Sequence, residues 1–385
     1  MRRMFLTGVG RALVVALLAI VFTPAFGQTV ETSRQARFAI ETMADGLVHP
    51  WGLAFLPDGA LLVTERAGRL RLFVDDRLKR APIRGLPSIH AAGQGGLLDV
   101  ALDPEYRRNG LIYLSYAARG ARGAGTEVVR GRLDRSTMRL RDAEVVFQAR
   151  PKTPGTAHYG SRLVFGPDGH LFVTLGDRYN YMDQAQNLGN HLGTIVRIDP
   201  DGSVPDDNPF PDREGAEPEI FSYGHRNVQG LARRPGTDQI WQHEHGPQGG
   251  DEVNILKAGA NYGWPEITYG IDYDGSIISE KTHTPGMKQP VVYWDPSIAP
   301  SGMAFYDGSA FPEWRGDLFV GALAHRHLRR LELRGDDVVA QEELLEDLNA
   351  RIRAVEPGPN GALYVLTDAA DGRLLRLSPV QAGSE

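Results

Sequence analysis

The chain contains no cysteine. This excludes disulfides, thiolate metal sites, thiol nucleophiles and covalent c-type haem attachment, and leaves the fold to be held by its core. Dense basic runs are also missing and the formal net charge is −6 over 385 residues, so there is no electrostatic footprint for nucleic acid. Helical periodicity is nearly absent, which argues against an alternating α/β enzyme. Long apolar runs are reduced to one, Ala12 to Phe22, preceded by Arg2 and Arg3 and followed by Ala25 and Gly27. It is about half the length that a membrane-spanning helix needs. The segment 1–27 therefore reads as a secretory signal peptide cleaved near Gly27/Gln28. A periplasmic or secreted protein, with no membrane insertion after processing, is expected. Cleavage removes Arg2, Arg3 and Arg11 but no acid, leaving a more acidic mature chain.

Glycine (45) and proline (25) are abundant, which favours many turns and many short strands. From residue 46 onward a strand–turn–strand theme recurs six times. The copies lie at Pro50 to Glu65, Gly95 to Pro104, Leu163 to Leu175, Asn227 to Gln242, Ser301 to Gly321 and Ile352 to Thr367. The repeat of about 45 to 70 residues is that of propeller blades with insertions. Six radial sheets also explain how so many short strands avoid exposed edges. The expected fold is all-β, a six-bladed β-propeller over 46–380, with 28–45 set aside as an N-terminal extension. A two-sheet sandwich predicts neither the period nor the sixfold recurrence. The segments 178–219 and 243–297 carry little periodicity and read as long functional loops over one mouth of the channel.

Local geometry picks out one pair of residues. His158 precedes the apolar strand Leu163 to Phe165, and Asp177 follows Leu171 to Leu175, with Pro167-Asp168-Gly169 as the turn between. Antiparallel strands bring those two flanks to the same end. A carboxylate beside an imidazole orients it and stabilises its protonated form, which makes His158 a candidate general base. Gln94, Arg226 with Asn227, and Arg351 with Arg353 stand near the start of the first strand of other copies. Three arginines converging on one mouth imply an anionic ligand bearing carboxylates. His243-Glu244-His245 lacks the helical spacing of a zinc motif. Gly246-Pro247 followed by Asp251-Glu252 is a carbonyl-rich turn near carboxylates, which suits Ca²⁺ better.

Taken in order, His49-Pro50-Trp51-Gly52, Gly93 to Leu98, His158 to Arg162, Gly224 to Leu231, His245-Gly246-Pro247 with Asp251 to Asn254, Asn261 to Pro265 and Arg351-Ile352-Arg353 carry a family resemblance. The chain resembles the soluble pyrroloquinoline quinone (PQQ)-dependent aldose sugar dehydrogenases of the glucose/sorbosone dehydrogenase family, whose fold is a six-bladed propeller. The resemblance implies that His158 removes the proton of the anomeric hydroxyl as hydride passes to C5 of PQQ, with Asp177 holding the imidazole. It implies Gln94 at the reacting centre, Arg226 on the quinone oxygens, Asn227 seating the cofactor, and Arg351 and Arg353 on its carboxylates. The carbonyls of Gly246 and Pro247 would bind a Ca²⁺ that acts as a Lewis acid, and Glu252 and Tyr262 a second, structural one. Aldose sugars are the implied substrates. An external cytochrome or quinone is the implied electron acceptor, and the assembly a monomer or homodimer. Ala324 departs from the pattern, since a lysine against PQQ is common there; His325 and Arg326 lie nearby. The glucose-specific branch carries an aromatic residue before its Ala-Pro-Ser segment, where this chain reads Trp294 to Ser301 in an open register, so the broad aldose branch fits better.

Two other readings compete. A Ca²⁺-dependent lactonase-type propeller expects a carboxylate and asparagine cage around a channel cation, where this chain places Gln, His and Arg. A propeller that only binds a glycan or protein shares the fold but has no need of a base.

Overall fold

Runs of four to eight β-branched, leucine and aromatic residues, cut by Gly, Pro and Asp turns, cannot bury both faces alone and must stack. The computed structural model describes residues 29–380, so the signal peptide expected over 1–27 lies outside the described residues. The chain opens with β1 (Thr29–Thr32) and β2 (Arg37–Leu47), then builds antiparallel sheets in sequence. Blade one holds β3 (Pro50–Phe55), β4 (Leu61–Glu65), β5 (Arg69–Val74) and β6 (Arg77–Leu78). Blade two holds β7 (Leu97–Leu102), β8 (Leu111–Gly120), β9 (Gly123–Asp134) and β10 (Arg139–Gln148). Blade three is β11 (Leu163–Phe165), β12 (Leu171–Thr174), β13 (Thr194–Ile198) and β14 (Ile220–Tyr223). Blade four is β15 (Val228–Arg233), β16 (Ile240–Glu244), β17 (Asp251–Ile255) and β18 (Val292–Trp294). Blade five is β19 (Pro300–Phe305), β20 (Leu318–Ala322), β21 (Leu328–Arg334) and β22 (Asp337–Leu344). Blade six is β23 (Ile352–Pro357), β24 (Leu363–Thr367) and β25 (Gly372–Pro379), completed by β2 and β1 in the order β1-β2-β25-β24-β23. The molecule is a six-bladed β-propeller.

The segment set aside as an extension is thus the outer part of the sixth blade. Phe38 pairs with Pro379 and Ile40 with Leu377, so the N-terminal strand closes the ring onto the C-terminal one. Phe38 is fully buried and meets Trp314 edge-on at 5.6 Å, a contact worth about 2–3 kcal/mol in buried area. The sequence hides this role because a closing strand has no neighbour nearby in the chain. The loops expected over 178–219 and 243–297 are also partly strand. β13 lies in the first, and β17 and β18 in the second. β17 is only five residues long, and Asp251 stands on the face of Val253 and Ile255 where a third apolar residue would mark the strand, which masks it.

The inner strands β3, β7, β11, β15, β19 and β23 each contact the inner strands of both neighbouring blades, leaving an axial tunnel. Turns between second and third strands, and connections into each inner strand, open on one mouth, called here the near mouth. Turns between first and second strands open on the far mouth. Arg162 plugs the tunnel between them. Its guanidinium lies 3.9 Å over the Trp51 ring. It donates to the carbonyls of Gln229 (2.7 Å) and Arg353 (3.3 Å) and to Asp99 (3.3 Å), tying five blades at the axis.

Candidate active site at the near mouth

Above the plug lies a cavity of about 420 Å³. Among its lining residues are Trp51, Arg66, Gln94, Asn227, Arg353 and Asp368. His158 is buried beside it. The β11–β12 hairpin does what its spacing predicts: His158 Nδ1 and Asp177 Oδ1 are 2.7 Å apart. The close approach depends on Gly176, where a Cβ would lie 2.5 Å from the His158 carbonyl oxygen. A carboxylate can only accept, so the Nδ1 proton is donated to Asp177 and Nε2 keeps its lone pair. Asp177 Oδ2 accepts from the Trp264 indole at 2.9 Å, and Oδ1 also accepts from the Tyr179 amide at 2.8 Å. Burial holds the His158 imidazole below its ordinary range; Asp177 pulls the other way, and the nearby Arg226 charge adds to the lowering. His158 sits at φ 51°, and Arg178 and Tyr179 at 57° and 69°. Non-glycine residues in the left-handed region store strain that the surroundings must hold, a habit of functional sites.

The other expected residues assemble around this pair. Gln94 Oε1 accepts from the His158 amide at 2.8 Å, so the second blade's loop directly supports the base. Asn227 Oδ1 accepts from the Gly160 amide at 3.1 Å and from Gln229 Nε2 at 3.3 Å. Arg353 pairs with Asp368 at 2.5 Å and Arg351 with the same carboxylate at 3.7 Å. His49 Nδ1 completes the cluster at 2.9 Å. Burial pushes the Asp368 carboxyl up, but Arg353, His49 and the nearby Arg66 outweigh it and hold it far below the usual carboxylate range.

The expected triplet of arginines is met with a change of membership. Arg226 donates to the carbonyls of His245 (3.3 Å) and Gly246 (2.6 Å) and does not line the cavity. The third arginine on its wall is Arg66, which sequence reasoning missed because a charged residue at a hairpin turn normally signals only solvent. Neither His325 nor Arg326 lines the cavity, so they do not replace the lysine missing at Ala324; Arg326 Nη1 donates to Asn349 Oδ1 at 2.8 Å. Trp264 was likewise missed as a partner of Asp177, since 87 positions separate them.

The two expected cation positions differ. Glu252 and Tyr262 line a small space of about 10 Å³ together with Glu244, Gly246 and Gly250, about the size of one ion or water. Burial and the facing Glu244 push the Glu252 carboxyl up to about 8, the behaviour of a carboxylate awaiting positive charge. The Tyr262 hydroxyl is committed, donating to the Ile255 carbonyl at 2.8 Å and accepting from the Lys257 amide at 3.0 Å, so only its carbonyl is free for a cation. At Gly246-Pro247, by contrast, the Gly246 carbonyl already accepts from Arg226. A cation there would have to use that oxygen's second lone pair, beside the guanidinium charge.

This architecture defines a class: a propeller whose axial mouth pairs an oriented histidine with an arginine-rich cavity. The profile of the Glucose / Sorbosone dehydrogenase family matches residues 47–376. Aldose sugar dehydrogenase YliI of Escherichia coli (strain K12) is 46% identical over 344 residues, covering 88% of this chain and 92% of that protein. Among solved structures, the apo form of the soluble aldose sugar dehydrogenase (Asd) from Escherichia coli superposes with a TM-score of 0.87 at 44% identity, covering 89% and 100% of the two chains. The PQQ-bound aldose sugar dehydrogenase (Adh) from Streptomyces coelicolor does so at 0.74 and 30%, covering 92% and 99%. The chain belongs to the glucose/sorbosone dehydrogenase family and is an oxidoreductase.

Proposed function

We propose that this protein oxidises aldose sugars at the C1 hydroxyl to the lactone with PQQ as the resident cofactor, passing electrons to an external acceptor. The observation that carries the reading is the His158–Asp177 pair at the edge of an arginine-lined cavity. Two donors on that wall, Arg66 Nε and Arg353 Nε, are buried without a partner, and buried unmet donors favour an anionic occupant. A flat tricarboxylate suits that wall, with Arg351 and Arg353 on its carboxylates and Asn227 beside it. PQQ, when bound, supplies the hydride-accepting quinone, which no side chain can provide. The protein's share is positional and electrostatic. Nε2 of His158 takes the hydroxyl proton, Asp177 stabilises the resulting imidazolium, and Trp264 keeps the carboxylate in place. Gln94 fixes the backbone of the base. Arg226, near the base, would offer its guanidinium to the negative charge that gathers as the hydride is accepted. A Ca²⁺ is expected in the small cavity at Glu252 and the Tyr262 carbonyl, where it would hold the Gly246 turn. Export through the 1–27 signal peptide would place this chemistry in the periplasm or outside the cell.

The test is dye reduction with a panel of aldoses, using mature protein from a host that makes no PQQ. Activity that requires both added PQQ and Ca²⁺ supports the reading; no activity and no PQQ binding sinks it.

A further inference from the structure

Two turns of the propeller occupy equivalent places. In blade one, Arg66 follows β4 and precedes β5; in blade five, Ala324 follows β20 and precedes β21. Both turns open on the near mouth, as do those carrying His245 and Asp368. In blade five the cavity is reached by Leu323, an apolar side chain, whereas in blade one it is reached by Arg66. Arg66 is also the uncommitted arginine of that wall. Arg351 and Arg353 share Asp368, while Arg66 makes no ion pair among the described residues. Its Nη1 donates to the Gly93 carbonyl at 3.0 Å, and its Nε is buried without a partner. Its backbone is pinned as well: the amide donates to His49 and the carbonyl accepts from Leu97. The guanidinium is therefore held in place with bonding capacity left over.

Building on the PQQ reading, we propose that Arg66 is a carboxylate-binding residue of the cofactor cavity, supplying from blade one the cation that blade five lacks at Ala324. Three guanidinium groups then face a single carboxylate, Asp368, leaving an excess of positive charge for an anionic ligand. The bond to Gly93 gives the residue a second consequence. The next residue, Gln94, accepts from the His158 amide, so a ligand drawing on Arg66 also steadies the loop under the base.

The experiment is titration of purified apo-protein with PQQ, followed by tryptophan fluorescence and calorimetry, for wild type, Arg66→Met and Arg66→Lys. Thermal melts without ligand serve as the folding control. Pyridine-2,4,6-tricarboxylate, which is redox-inert, is titrated in parallel. Arg66→Met should weaken PQQ binding at least tenfold, with Arg66→Lys intermediate because it keeps the charge and loses the fork. PQQ binding by Arg66→Met equal to wild type overturns the assignment and leaves the dehydrogenase reading intact. If wild type binds no PQQ, that reading fails instead. The assignment then stands only if the tricarboxylate binds wild type and not Arg66→Met, and falls if the two proteins bind it alike.

Discussion

The two mouths of the tunnel are made by the same six inner strands, and they could hardly differ more. The far cavity is the larger, about 770 Å³ against about 420 Å³. Its wall is built from the ends of those strands, with Phe55, Leu102, Phe165 and Phe305 set among Arg107, Arg233 and Asp307. Its floor is the Asp99–Arg162 pair already closed on itself, and Glu356 is a carboxyl that burial pushes up to about 8. The near cavity is smaller, but its wall carries the unpaired guanidinium donors, and the oriented histidine with its strained backbone is buried beside it. Chemistry marks the site here, and size does not. The reason lies in the connections. In blades one, three and six the far-mouth turns are Pro-Asp-Gly or Pro-Asn-Gly hairpins that only reverse the chain, whereas the near mouth receives the long connections 79–96, 149–162 and 175–193.

The sharpest way to break this contrast is to remove the base. His158→Ala should lower kcat on aldoses by about 10²–10⁴-fold, the usual worth of a general base, while PQQ binding by calorimetry is retained. Asp177→Asn should cost about 10–100-fold, the range for removing a group that orients a histidine. The base works only when neutral, and burial lowers its pKa. The acid limb of kcat/KM should therefore lie below about 6.5, the ordinary imidazole value, and a limb above that value would contradict the burial account. Trp264→Phe removes one hydrogen bond to Asp177 and should lower kcat by about 2–10-fold. At the far mouth, Glu356→Gln should leave activity within about twofold of wild type, an outcome that rests on the plug isolating that cavity. It should still change stability. A carboxyl raised on folding binds its proton more tightly in the native state, so wild-type stability falls as pH rises from about 4.3 towards 8. Glu356→Gln should raise the melting temperature at pH 8 and do little at pH 4; the reverse order would refute the assignment.

Much of this was legible in the sequence, for physical reasons. Six blades could be counted because each one begins with two apolar strands joined by a turn rich in Pro, Gly, Asp or Asn. His158 and Asp177 could be paired because a hairpin fixes which of its flanks meet. Contacts made across blades were not legible. Trp264 reaches Asp177, Arg66 comes to share a cavity wall with Arg353, and Arg162 crosses the axis, and no local pattern encodes such meetings. Arg226 was legible in part: it stands near His158, as its chain position suggested, but its guanidinium is spent on the carbonyls of His245 and Gly246 and does not line the cavity.

The joint between β2 and β25 has a consequence in time. Every other blade is made of consecutive strands and can form as the chain emerges, but Phe38 must wait for Pro379. Contacts so distant in sequence form slowly, after most of the loop entropy has been spent. The cavity straddles this last step. His49, Trp51 and Arg66 follow the N-terminal strand, Arg351, Arg353 and Asp368 precede the C-terminal one, and His49 meets Asp368 across the gap. An anion gripped from both sides is therefore a clasp on the ring, and by mass action its affinity adds to the work of pulling the two ends apart.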